Sequence, residues 1–115
     1  MAEKIPAGVY VSNLNVISVV PDPIPCPRGH HDIDIEWHIK TSGWNFQPQG
    51  IVHKDNNDGT FHDPRPGKSV FHWINGNHRA GTYHYTVNVI STDGKTPLTQ
   101  DPAIQNHGDS VGGNR

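Results

Sequence analysis

Three Asp-Pro peptide bonds, Asp22-Pro23, Asp63-Pro64 and Asp101-Pro102, are the residues in this chain best suited to chemistry on the chain itself. An aspartyl carboxylate reaches its own main-chain carbonyl through a five-membered ring, and the proline nitrogen departs as a relatively basic secondary amine. Nucleophile and electrophile belong to one residue, so orienting them costs little extra entropy. The remaining requirement is a proton for the leaving nitrogen, which a neighbouring carboxyl of raised pKa or an imidazolium could supply. Asp-Pro is also ordinary turn chemistry, and Asp63-Pro64-Arg65-Pro66-Gly67 fits that description well. Asp101-Pro102 is less typical, because Ala103 and Ile104 follow it in what reads as the last strand. A proline there implies an edge or a bulge.

Asp34 and Glu36 are the most attractive carboxyls to assist Asp101. Strand alternation puts them on one face about 7 Å apart, and paired carboxyls push one pKa upward. A solvated strand face is the plainer explanation of the same two residues. The nine histidines invite a metal reading, but zinc ligands usually come in close spacings. His30 and His31 are adjacent in a loop, whereas His38, His72 and His84 are single strand residues of parity opposite to the core. No metal ligand set and no cofactor is therefore expected, although histidines aligned across neighbouring strands would make a metal-binding protein. Cys26 sits among prolines with only His30 near it in sequence, and no serine lies in a nucleophile-elbow pattern.

Period-2 alternation identifies the elements that must hold these groups. Ile33, Ile35, Trp37 and Ile39 share one face of a strand, with Asp34, Glu36 and His38 on the other. Tyr83, Tyr85, Val87 and Val89 repeat the pattern, closed by the turn at Asp93-Gly94, and this strand reads as central. Val9 to Val11, Val16 to Val20, Gly50 to His53 and Val70 to Trp73 are further short apolar segments, and a last strand is predicted through Leu98 to Ile104. Pro21, Pro23, Pro25 and Pro27 predict an extended edge, since each removes a ladder donor. Lys54 to Gly67 is polar and reads as a long loop. Trp37 and Phe71 are expected in the core; Trp44 and Phe46, if exposed in a loop, would form a binding patch.

About seven strands with turn signals between them predict an all-β protein, an immunoglobulin-like β-sandwich or a small closed barrel. At 115 residues there is room for one core, assigned to residues 1–106, with 107–115 as a flexible tail. Only 32% of residues are apolar, while Gly 12 and Pro 10 supply turns. A net charge of -2 with scattered Lys and Arg argues against a nucleic-acid partner, and no apolar run is long enough to span a bilayer. The one cysteine excludes an internal disulfide framework, and with no signal-like start the expected location is cytoplasmic.

The chain resembles the DP-EP family of small bacterial β-sandwich proteins. The resemblance rests on Val20-Pro21-Asp22-Pro23-Ile24-Pro25, Asp34-Ile35-Glu36-Trp37-His38-Ile39, Trp44 and Phe46 before Gly50-Ile51-Val52, Tyr83-His84-Tyr85-Thr86-Val87, and Asp101-Pro102-Ala103-Ile104-Gln105-Asn106. It implies an immunoglobulin-like fold and, for some members, aspartic-peptidase-like self-cleavage at the Asp-Pro bond near the C-terminus. Here that bond is Asp101-Pro102, with Asp34, Glu36 or Asp22 assisting, Asp22 through the family's name motif. Ala103 and Gln105 are less apolar than the family ending. The substrate is then the chain itself. The competing functions are a non-enzymatic interaction module, including a homodimer paired through edge strands, and a histidine-based metal binder.

Overall fold

A computed structural model describes residues 3–109. Ten strands follow in chain order: β1 (Lys4–Val11), β2 (Ile17–Val20), β3 (Ile24–Cys26), β4 (Ile33–Ile39), β5 (Trp44–His53), β6 (Phe61–Arg65), β7 (Val70–Asn75), β8 (Ala80–Ser91), β9 (Pro97–Gln100) and β10 (Ala103–His107). They form two five-stranded mixed sheets. The first has the order β2-β1-β4-β7-β6; the second has β3-β10-β8-β5, with β9 also on β8. β1 runs parallel to β4 and β3 parallel to β10, and the other pairs are antiparallel. The arrangement is a sandwich, so the barrel alternative falls. Among the described residues no helix is long and apolar enough to cross a membrane.

The two alternating segments are the centres of the two sheets. Ile33, Ile35 and Trp37 of β4 and Tyr85, Val87 and Val89 of β8 are all fully buried. Each such side chain contributes about 1.5–3 kcal/mol relative to leaving it exposed. A one-residue slip would exchange this face for Asp34, Glu36 and His38, which fixes the register. The Trp37 indole N–H donates to the Tyr85 hydroxyl at 3.0 Å, so the largest buried side chain has its polar atom satisfied across the core.

Ten strands replace the expected seven because short edge strands carry too few apolar residues to announce themselves. The segment from Lys54 to Gly67 is not all loop. Phe61 is buried and anchors β6, an edge strand that tolerates Pro64 and has a register shift between His62 and Arg65. Asp63 stands at that irregularity with φ 53°. Trp44 and Phe46 belong to β5 rather than a loop; Phe46 is buried and Trp44 packs against the core. The proline run carries the chain from β2, an edge of the first sheet, to β3, an edge of the second. The tail assignment is corrected at its start. His107 completes β10 and Gly108 is buried, its N–H donating to Asn77 Oδ1 and its carbonyl accepting from Gly29 N–H. The remainder of that assignment, 110–115, lies outside the described residues.

Candidate functional site

Strand β8 is the template for the Asp101-Pro102 bond. Its later half pairs with β9, ending at Val87 opposite Gln100, and its earlier half pairs with β10, beginning at His84 opposite Ala103. The register is the same on both sides of the gap. The single last strand expected from Leu98 to Ile104 is thus two strands in line, interrupted where Pro102 lacks an N–H for the ladder. The backbone is still held there, because Tyr85 N–H donates to the Pro102 carbonyl at 3.1 Å.

Asp101 is half-exposed and fixed from two sides. Lys54 Nζ lies 3.1 Å from Oδ2, and the Thr86 hydroxyl donates to Oδ1 at 3.1 Å. The Lys54 ammonium first, and then the Thr86 hydroxyl, hold the Asp101 carboxyl below the usual aspartyl range. Asp22 arrives from the proline run, and its Oδ1 accepts the Ala103 N–H at 3.0 Å. The fold therefore brings two of the three Asp-Pro aspartates, Asp22 and Asp101, to either side of Pro102. Lys54 and Thr86 were not among the expected site residues. Thr86 was readable only from the β8 register, and Lys54 only from the pairing of β5 with β8.

Asp34 and Glu36 do share a face, but it is the outer face of the first sheet, across the core from β8 and Asp101. Asp34 is buried between Arg65 Nη2 and His72 Nδ1, each 3.1 Å from one of its oxygens. Glu36 faces Lys4 Nζ at 3.2 Å and His38 Nε2 at 3.2 Å. Burial alone would raise the Glu36 pKa; Lys4 and His38 outweigh it and hold the carboxyl low. Both carboxylates are thus paired with cations of their own sheet, in the sheet opposite to Asp101. His38 and His72 share this face diagonally, opposite Val70 and Glu36 respectively, whereas His84 stands on β8 in the other sheet, its positive form favouring ionised Asp101.

The remaining reactive types are accounted for by burial. The Cys26 thiol is enclosed, accepts from Asn75 Nδ2 at 3.2 Å, and is pushed up to about 11, which leaves it protonated and inert. His53 stacks on Phe61 with ring centroids 3.7 Å apart and meets Trp73 edge-on at 4.7 Å. Both of its ring nitrogens are buried without a partner, and burial pushes its pKa down to about 3. No protein-family model and no curated protein matches the chain.

Proposed function

We propose that this protein is a self-processing β-sandwich that cleaves its own Asp101-Pro102 bond. The observation that carries the reading is the convergence of Asp101 and Asp22 on the two flanks of Pro102, with Lys54 against the Asp101 carboxylate. The ionised Asp101 Oδ attacks its own main-chain carbonyl carbon, closing a five-membered cyclic anhydride. The C–N bond to Pro102 breaks as the ring nitrogen takes a proton from solvent acid. Water then opens the anhydride, regenerating the side-chain carboxyl and leaving a new α-carboxyl on Asp101. Lys54, 3.1 Å from Oδ2, keeps the Asp101 carboxyl ionised into mild acid. Asp22 holds the departing Pro102-Ala103 segment in place through the Ala103 N–H.

This assignment makes pH a signature. Hydronium becomes more abundant as pH falls, while the ionised nucleophile is lost in proportion below the lowered Asp101 pKa, so the rate rises into mild acid and levels off near that pKa. Incubation of the purified chain across this range, followed by intact-mass measurement, is expected to show loss of the Pro102-to-Arg115 fragment. Asp101→Ala abolishes that loss, and Asp22→Asn slows it. Equal cleavage in denaturant, or continued loss of the fragment from Asp101→Ala, means that the fold does not catalyse the reaction.

A further inference from the structure

We propose that the C-terminal piece cut free at Asp101-Pro102 is not released but stays in the second sheet as a separate chain, so that the cleaved protein is a two-chain sandwich with a peptide slot between β3 and β8. The inference rests on cleavage at that bond and concerns the fate of its product. Strand β10, which opens the piece, is an interior strand. It pairs with β8 antiparallel over Ala103 to His107 and with β3 parallel over Ile104 to Asn106. Its departure would leave two unpaired strand edges at once. β9, by contrast, stays joined to the body on β8.

The cut itself crosses no ladder. The Asp101-Pro102 link falls in the gap between β9 and β10, after Gln100 and before Ala103. The contacts of Asp101 with Lys54 and Thr86 remain with the body. Those of the piece begin at its first residue, since Pro102 is buried and its carbonyl accepts from Tyr85 N–H at 3.1 Å. Ile104 and Asn106 are fully buried, and Asn106 exchanges two hydrogen bonds with Asn75 of the opposite sheet, at 2.7 and 3.1 Å. Gly108 closes the slot: its N–H donates to Asn77 Oδ1 at 3.1 Å and its carbonyl accepts from Gly29 N–H at 2.8 Å. With φ 75°, and with a Cβ that would stand 2.7 Å from Ala80 N, that position is shaped for glycine. Main-chain ladders with pockets for alternate side chains are how a sheet takes up an extended peptide, and here the ladders run along both edges.

The new chain ends suit the slot as well. Hydrolysis adds one water across the bond: the oxygen stays on the Asp101 carbon as an α-carboxylate, and the two hydrogens pass to the Pro102 nitrogen, a secondary ammonium at neutral pH. That cation arises between Asp101 and Asp22, whose Oδ1 already holds the Ala103 N–H at 3.0 Å. The new carboxylate arises on the residue that Lys54 faces. Each charge made by the cut has an opposite charge beside it.

The test passes the cleaved full-length protein over a size-exclusion column in native buffer and weighs the peak in denaturing solvent. The body and the Pro102-to-Arg115 piece are expected together, in one peak of single-chain size. The melting temperature of the cut form is expected to rise by several degrees with added synthetic peptide of residues 102–115, as for an assembly that unfolds into two chains. The whole Asp101→Ala chain is expected not to respond, and the peptide carrying Ile104→Asp, which would bury a charge, is expected to give no rise. A piece that elutes apart from the body, an equal rise with the Ile104→Asp peptide, or heavier assemblies in which the strand has passed to a second copy would each overturn the proposal. A further chain with a specific protease site inserted between Gln100 and Asp101 makes the cut independently of the chain's own chemistry. Retention in that chain, together with no self-cleavage in the natural one, would uphold the slot and overturn the self-processing reading alone.

Discussion

Two of the regions that combine histidine with carboxylate differ in what else reaches them. On the outer face of the first sheet, Asp34 and Glu36 meet two permanent cations, Arg65 and Lys4, as well as His38 and His72. The permanent charges cancel, so protonation of a histidine or arrival of an ion is not needed. At the end of the sandwich, the described ion-pair partners of Asp109 are His31 and His78 alone. One region holds permanent cations against its carboxylates, and the other pairs its carboxylate with histidines only.

The strongest way to break this comparison is to open the closed region. Asp34→Ala removes a buried carboxylate and leaves His72 and Arg65 without it; loss of roughly 2–3 kcal/mol is expected by urea unfolding. This is below the cost typical of a broken buried pair because Arg65 is 61% exposed and rehydrates. If stability is unchanged, the outer face is not the closed network described.

A second measurement defines the acid range in which the two regions can be compared within one folded state. His53 is neutral in the fold with a pKa of about 3, against an ordinary value of 6.5. The unfolded chain therefore takes up the proton first, and stability is lost as pH falls below 6.5, levelling near 3. At pH 5 the loss is about 2 kcal/mol. His53→Phe, stacked on Phe61, is expected to flatten this slope between neutral pH and pH 5. An unchanged slope would assign acid sensitivity to other groups.

The smallest effect concerns the Asp101 joint. Lys54→Ala breaks a surface pair and is expected to alter stability by less than about 0.5 kcal/mol. It is expected to move the pH at which cleavage levels off to a higher value, since Lys54 is the main cause of the lowered Asp101 pKa. A levelling point that stays in place would separate Lys54 from the reacting carboxylate.

The sandwich was legible because its evidence is local. A strand two-fold alternating over Ile33 to Ile39, or over Tyr83 to Val89, has one apolar face whatever it pairs with, and Asp93-Gly94 marks a turn by backbone preference alone. Edge strand β6 was not legible, β3 was legible only as an extended edge and β9 only as the start of a single last strand, because three to five residues with prolines among them carry little pattern. Of the candidate residues, the identity of Asp101 as the aspartate of interest was readable, but its neighbours were not.

Sequence by itself determined which side chains face the core and that Asp101-Pro102 lies among strand-forming residues near the end of the domain. Tertiary structure alone decided that Asp22 rather than Asp34 or Glu36 stands beside Pro102, and that His31, His78 and Asp109 meet. Alternation specifies the face of one strand, whereas pairing a histidine with a carboxylate 31 or more residues away depends on which strands become neighbours. That choice is made by the whole core at once, and no local run of residues carries it.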